Sequence, residues 1–106
     1  MLFHGGDVET SIMLALHPEL VDMGAARDFT STAEGADIPP VGPISLAWIS
    51  ADLNLAGTVG NAAIATAAKG QATIQHQVTG LIGLLRSLKS LPLEGYAPVP
   101  ESGQFP

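Results

Sequence analysis

The sequence predicts an α/β fold, and three observations predict it. His4-Gly5-Gly6 separates a short apolar start, Met1-Leu2-Phe3, from a helical pattern, as in a strand-to-helix turn. Ile44-Ser45-Leu46-Ala47-Trp48-Ile49 alternates and is rich in β-formers, which reads as a short strand. A long stretch after Asn61 then keeps apolar residues at helical spacing.

In chain order, Met1-Leu2-Phe3 reads as the end of a buried strand. From Asp7 the spacing of Val8, Ile12 and Leu16 predicts a helix. Asp7 suits its N-cap, because a carboxylate accepts an exposed backbone N–H, and Glu9 in the first turn complements the positive helix end. Pro18 stops the helix near His17 and opens a second short turn, Pro18 to Val21. Met23 to Pro43 reads as a long loop, of the kind that serves as a lid, a binding loop or a subunit contact. Ser50 to Gly60 is a second loop. Asn61 is expected to cap the longest helix, with a stripe of Ile74, Val78, Leu81, Ile82, Leu85 and Leu88 and an end at Pro92. Gly70, Gly80 and Gly83 lie inside it; each costs about 1 kcal/mol relative to Ala, so close packing is their expected compensation. Residues 1–92 form one domain in this reading, and 93–106 a proline-rich extended tail.

Composition narrows the function classes. Charged residues make up only 13% of the 106 residues, about half the usual share, which implies that much of the surface packs on something else. The net charge of −6 argues against nucleic acid or an anionic membrane as partner. Cysteine is absent, which removes disulfides and thiolate chemistry. With no apolar run near the ~20 residues of a membrane span and no signal-peptide pattern, a soluble, cytoplasmic protein is expected.

Chemically capable groups concentrate in His4-Gly5-Gly6-Asp7-Val8-Glu9-Thr10-Ser11. His4 at the end of a strand and before a helix would sit where open α/β sheets hold ligands, and imidazole moves protons near neutral pH. An ordinary surface or hydrogen-bonded histidine is the other reading. Asp7 and Glu9 read as metal ligands, general bases or simple helix N-terminal carboxylates, the last being commonest. His4, Asp7, Glu9 and His17 hold enough donors for a metal on paper, but their spacing is not that of a compact ligand set. Trp48 reads as core, the leucine stripe as core or interface, and His76 as solvent-facing. Gly57-Thr58-Val59-Gly60-Asn61 is a glycine loop leading into a helix, a weak signal for anion binding.

The opening segment, followed by Met13-Leu14-Ala15-Leu16 and Pro18-Glu19-Leu20-Val21, resembles the His-Ala-Gly-x-x-Glu-Thr-Ser segment of the creatininase (creatinine amidohydrolase) family. Gly57-Thr58-Val59-Gly60 with Ala65-Thr66-Ala67-Ala68-Lys69-Gly70 is similar to that family's second C-terminal signature. The resemblance implies part of a three-layer α/β/α sandwich, truncated at the N-terminus and often assembled into oligomers. It implies metal-dependent hydrolysis of a cyclic or formyl amide C–N bond, with zinc, manganese or iron. His4 then corresponds to the residue that carries protons to the scissile amide, Glu9 to a carboxylate at the metal as ligand or support, and Thr10 to a brace of the turn. Gly5 stands where the family usually has Ala. The family's Glu-x-His pair, loop aspartate and Asn-Gly-His segment have no counterpart here, so the chain is expected to be a fragment that does not hold the metal alone and is inactive alone. The resemblance therefore implies a small amide substrate and either a homo-oligomer or a partner supplying the N-terminal half. A non-catalytic assembly subunit that keeps the fold's C-terminal half is the alternative.

Overall fold

The computed structural model describes residues 4–33, 35–92 and 94–95. Met1-Leu2-Phe3 and nearly all of the 93–106 tail therefore lie outside the described residues. The described part is a mixture of helices and a small sheet: α1 (Asp7–Leu16), a 3₁₀ turn (Pro18–Leu20), β1 (Asp28–Phe29), α2 (Ser50–Leu53), β2 (Gly60–Asn61) and α3 (Ala67–Lys89).

α1 ends where Pro18 requires, with the His17 amide donating to the Met13 carbonyl at 2.7 Å. Its start differs from expectation. Gly6 occupies the N-cap position and Asp7 is the first helical residue. The Asp7 carboxylate faces α3 instead, accepting from Lys69 Nζ at 2.9 Å. α3 likewise begins later than expected. Thr66 is its N-cap, its hydroxyl accepting from the Lys69 amide at 3.3 Å, and Arg86 and Lys89 complement the dipole at the far end. Asn61 closes a local turn instead, accepting from the Ala63 amide at 3.1 Å.

β1 and β2 pair antiparallel, Asp28 opposite Asn61 and Phe29 opposite Gly60. Just before β2, Val59 forms an antiparallel bridge with His4. The Val59–Asn61 segment thus joins the chain's beginning to its middle. The Ile44–Ile49 strand is not formed. Its residues run as irregular chain with Ile44, Leu46 and Ile49 exposed, and among the described residues no neighbouring strand accepts them; the indole N–H of Trp48 donates to the Pro40 carbonyl at 2.6 Å. α2 follows inside the segment read as loop, started by Asp52, whose carboxylate accepts from the Ile49 amide at 2.9 Å. Thr32 and Asn54 stitch the 28–32 stretch to the end of α2, so the long loop is anchored at both ends of this contact.

The core is built from small side chains. Val59, Ala62, Ala65 and Leu53 are its buried apolar residues, beside Ser11 and Gly70. α1 crosses the first turns of α3 there, which is the main contact between elements. Gly70 makes the crossing possible, because a Cβ on it would overlap the backbone carbonyl of Ser11. Ser11 is fully buried and fully satisfied, its hydroxyl donating to Asp7 at 3.1 Å and accepting from the Thr66 amide at 3.0 Å. Beyond this crossing α3 projects. Among the described residues nothing lies within 4 Å of a Cβ built at Gly80 or Gly83, so close packing there compensates only the first of the three glycines. The stripe of Val78, Leu81, Ile82, Leu85 and Leu88 is exposed as well, each above 40%. The Cα radius of gyration is 19.8 Å, against about 13 Å for a compact chain of this length.

Candidate functional site

The His4 turn is held from three directions. Its backbone N–H donates to the Val59 carbonyl at 3.1 Å, and its carbonyl accepts from the Val59 N–H at 2.7 Å. The Thr58 hydroxyl donates to the same carbonyl at 2.9 Å. The His4 side chain is left exposed. Next in the chain, Gly5 turns with φ +69°, a left-handed conformation natural to glycine. Both of its backbone groups are then bound by α1: its N–H donates to Glu9 Oε2, and its carbonyl accepts from the Thr10 hydroxyl at 3.2 Å. α1 thus grips the turn that carries His4.

This geometry gives the sequence-predicted residues specific work. Glu9 and His4 are brought together through Gly5, with one Glu9 oxygen on the turn's amide. Oε1 of Glu9 has no hydrogen-bond partner among the described residues. Thr10 braces the turn as the resemblance implied. Asp7 belongs to the α1–α3 crossing rather than to the turn. Its partner Lys69 also donates to the Ile64 carbonyl at 2.8 Å. His17 lies at the other end of α1, with Nδ1 3.2 Å from Glu19 Oε1. His4, Asp7, Glu9 and His17 are therefore not one constellation.

Beside the turn is a hollow of about 340 Å³. Glu9, Thr10 and Met13 of α1 form one wall, and Leu20, Val21 and Asp22 another. Met23, Ala25 and Ala26 from the long loop line it further, with Gly5 and Ala62. Its lining is mainly apolar with the Glu9 and Asp22 carboxylates at its border, although His4 is not among the lining residues. Asp22 is also locally engaged, accepting from the Gly24 amide at 2.8 Å. The Gly57–Asn61 segment does not form a loop-to-helix anion site. Its backbone is used in pairing with His4 and β1, and the helix starts only at Ala67.

Thr58 is the residue that sequence reasoning missed. It lies 54 positions from His4, and no local spacing links them. Lys69 was legible only as part of a signature, not as the partner of Asp7.

Among the described residues, no group of three or more His, Asp or Glu side chains is placed to hold a metal ion. A divalent ion needs several such ligands, so these residues do not fit a complete metal centre on their own. No helix among the described residues is long and apolar enough to cross a membrane.

Comparison with known proteins follows the same lines. The creatininase family, described as creatinine amidohydrolase, matches residues 1–85. A creatinine amidohydrolase of Pseudomonas putida is 36% identical over 84 residues, which cover 78% of this chain and 30% of that protein. The match thus spans less than a third of that relative's length. No solved structure gives a significant match.

Proposed function

The chain belongs to the creatininase family, and from that premise we propose that it is part of a metal-dependent amidohydrolase acting on a cyclic or formyl amide. The observation that carries this reading is the family match across the His4 turn and α1, combined with the bonds that fix that turn. Family membership supports amide hydrolysis, and the family is in general metal-dependent. In this proposal His4 delivers a proton to the leaving nitrogen. An exposed imidazole on a turn bound by Val59, Thr58, Glu9 and Thr10 suits that task, since proton transfer needs a positioned group. Glu9 holds the turn with Oε2 and leaves Oε1 for the metal side of the centre. The hollow beside Glu9 and Thr10 receives the apolar part of a small substrate.

The metal, whether zinc, manganese or iron, takes its remaining ligands from beyond the described residues, in the part of the fold that the match with the relative does not span. That same part covers the exposed stripe of α3 and completes the α/β/α sandwich. The test is direct. The purified chain is assayed alone and combined with the missing part of the fold, for bound divalent metal and for hydrolysis of a panel of cyclic and formyl amides. Alone it is expected to hold no stoichiometric metal and to hydrolyse none of them; His4-dependent hydrolysis by the combination supports the reading, and metal-retaining hydrolysis by the chain alone, or a stable combination that hydrolyses no amide, overturns it.

One observation favours a second reading. The apolar stripe of α3 is exposed over several turns, as an assembly surface would be. A non-catalytic subunit would use that stripe while leaving His4 without a chemical task. Oligomer formation with unchanged activity on mutating His4 distinguishes the two.

A further inference from the structure

We propose that Thr58 is a positioning residue for His4, and that Gly5 is a glycine in this chain partly because the Thr58 hydroxyl occupies the space beside it. The inference rests on the reading of His4 as the proton carrier.

Two independent observations meet at one atom. The Thr58 hydroxyl donates to the His4 carbonyl at 2.9 Å. It is also what a Cβ on Gly5 would run into. A methyl group at position 5 and this hydroxyl therefore compete for one volume. The hydroxyl takes the space, and its hydrogen bond is what it supplies in return.

That bond adds to the pairing of His4 with Val59, which among the described residues is a single bridge outside the named strands. Thr58 adds a third bond and fills the second lone pair of the His4 carbonyl. Glu9 and Thr10 hold the following residue from the opposite side. The imidazole then projects from a backbone fixed on both sides. Misplacing a reacting group by about 1 Å lowers rates by around a hundredfold, so a bond that holds the backbone acts on turnover rather than on substrate binding.

The test compares Thr58→Val with Thr58→Ser in the full chain, each in the assembly that hydrolyses amide. Val keeps the shape and removes the donor; Ser keeps the donor. Thr58→Val is expected to lower kcat by about five- to hundredfold with KM unchanged, and Thr58→Ser to stay within about threefold of wild type. A readout without turnover accompanies it: in Thr58→Val the Val59 amide exchanges faster and the His4 ring resonances move toward those of exposed His76, while Thr58→Ser keeps both. Wild-type kcat and His4 resonances in Thr58→Val overturn the proposal, as does an equal loss in Thr58→Ser. His4→Ala with full activity instead overturns the reading of His4, and the exchange and resonance data still decide whether Thr58 positions it.

Discussion

Replacing Gly70 by Ala sets two physical effects against each other. Helix propensity alone favours Ala over Gly by about 1 kcal/mol at an interior position. At Gly70, however, the new methyl overlaps the carbonyl of Ser11 and comes within 2.9 Å of the Ile12 amide nitrogen. These are backbone atoms in the middle of α1, so no side chain can rotate aside. α1 must move away from α3. Overpacking of this kind costs about 1–3 kcal/mol. The displacement also pulls the Ser11 hydroxyl off the part-buried Thr66 amide, and losing such a hydrogen bond costs a further ~0.5–1.5 kcal/mol. After subtracting the propensity gain, the net loss is about 0.5–3.5 kcal/mol. For a domain of this size that lowers Tm on the order of 2–28 °C. Gly80 and Gly83 supply the internal control, because no described residue lies within 4 Å of a Cβ there. Gly80→Ala and Gly83→Ala should each stabilise the isolated chain by about 0.5–1 kcal/mol. Thermal and urea unfolding followed by circular dichroism measure all three. A Gly70→Ala protein as stable as wild type, or a loss at Gly80 equal to that at Gly70, refutes the account of the α1–α3 crossing.

Other expectations follow from the same contacts. Ser11→Ala leaves the part-buried Thr66 amide without its acceptor and should destabilise by about 0.5–1.5 kcal/mol in urea unfolding. Lys69→Met removes the pair with Asp7, whose side chains are 47% and 29% exposed; the loss should stay below ~1 kcal/mol and shrink further at high salt. The double substitution Leu85→Lys and Leu88→Lys alters two exposed residues. It should leave the isolated chain's unfolding midpoint nearly unchanged while abolishing assembly, read by sedimentation.

The sequence was most legible where local rules act alone. Pro18 ended α1, and Gly5 took the positive φ that its place in a Gly-Gly turn announced. The long helix was visible from its periodicity. Its start was not, because Asn61 and Thr66 are both good caps, and the pairing of Gly60–Asn61 with β1 decided between them. The Ile44–Ile49 alternation misled for a related reason. A pattern specifies a strand only when another strand is there to pair with it, and among the described residues none is. Asp7 looked like a cap and became a cross-helix partner, since Lys69 lies 62 positions away. At the candidate site, His4 and Glu9 were readable from the segment itself. The way Glu9 works, through the Gly5 amide, and the part played by Thr58 needed the fold, because both depend on which backbone groups the turn leaves unpaired. The glycines of α3 show the same limit: one sequence feature, three positions, and only Gly70 meets another element.

The central claim is that the His4 turn carries the proton-transfer half of an amide-hydrolysing centre. The most direct measurement is the hydrolysis rate of creatinine and related cyclic amides, with divalent metal present. It compares wild type and His4→Ala, each combined with the portion of the Pseudomonas putida creatinine amidohydrolase that lies outside the match. The account predicts turnover by the wild-type combination and a fall of at least about a hundredfold in His4→Ala, with assembly unchanged. Equal turnover by the two, or a stable assembly that hydrolyses none of these amides, would contradict it.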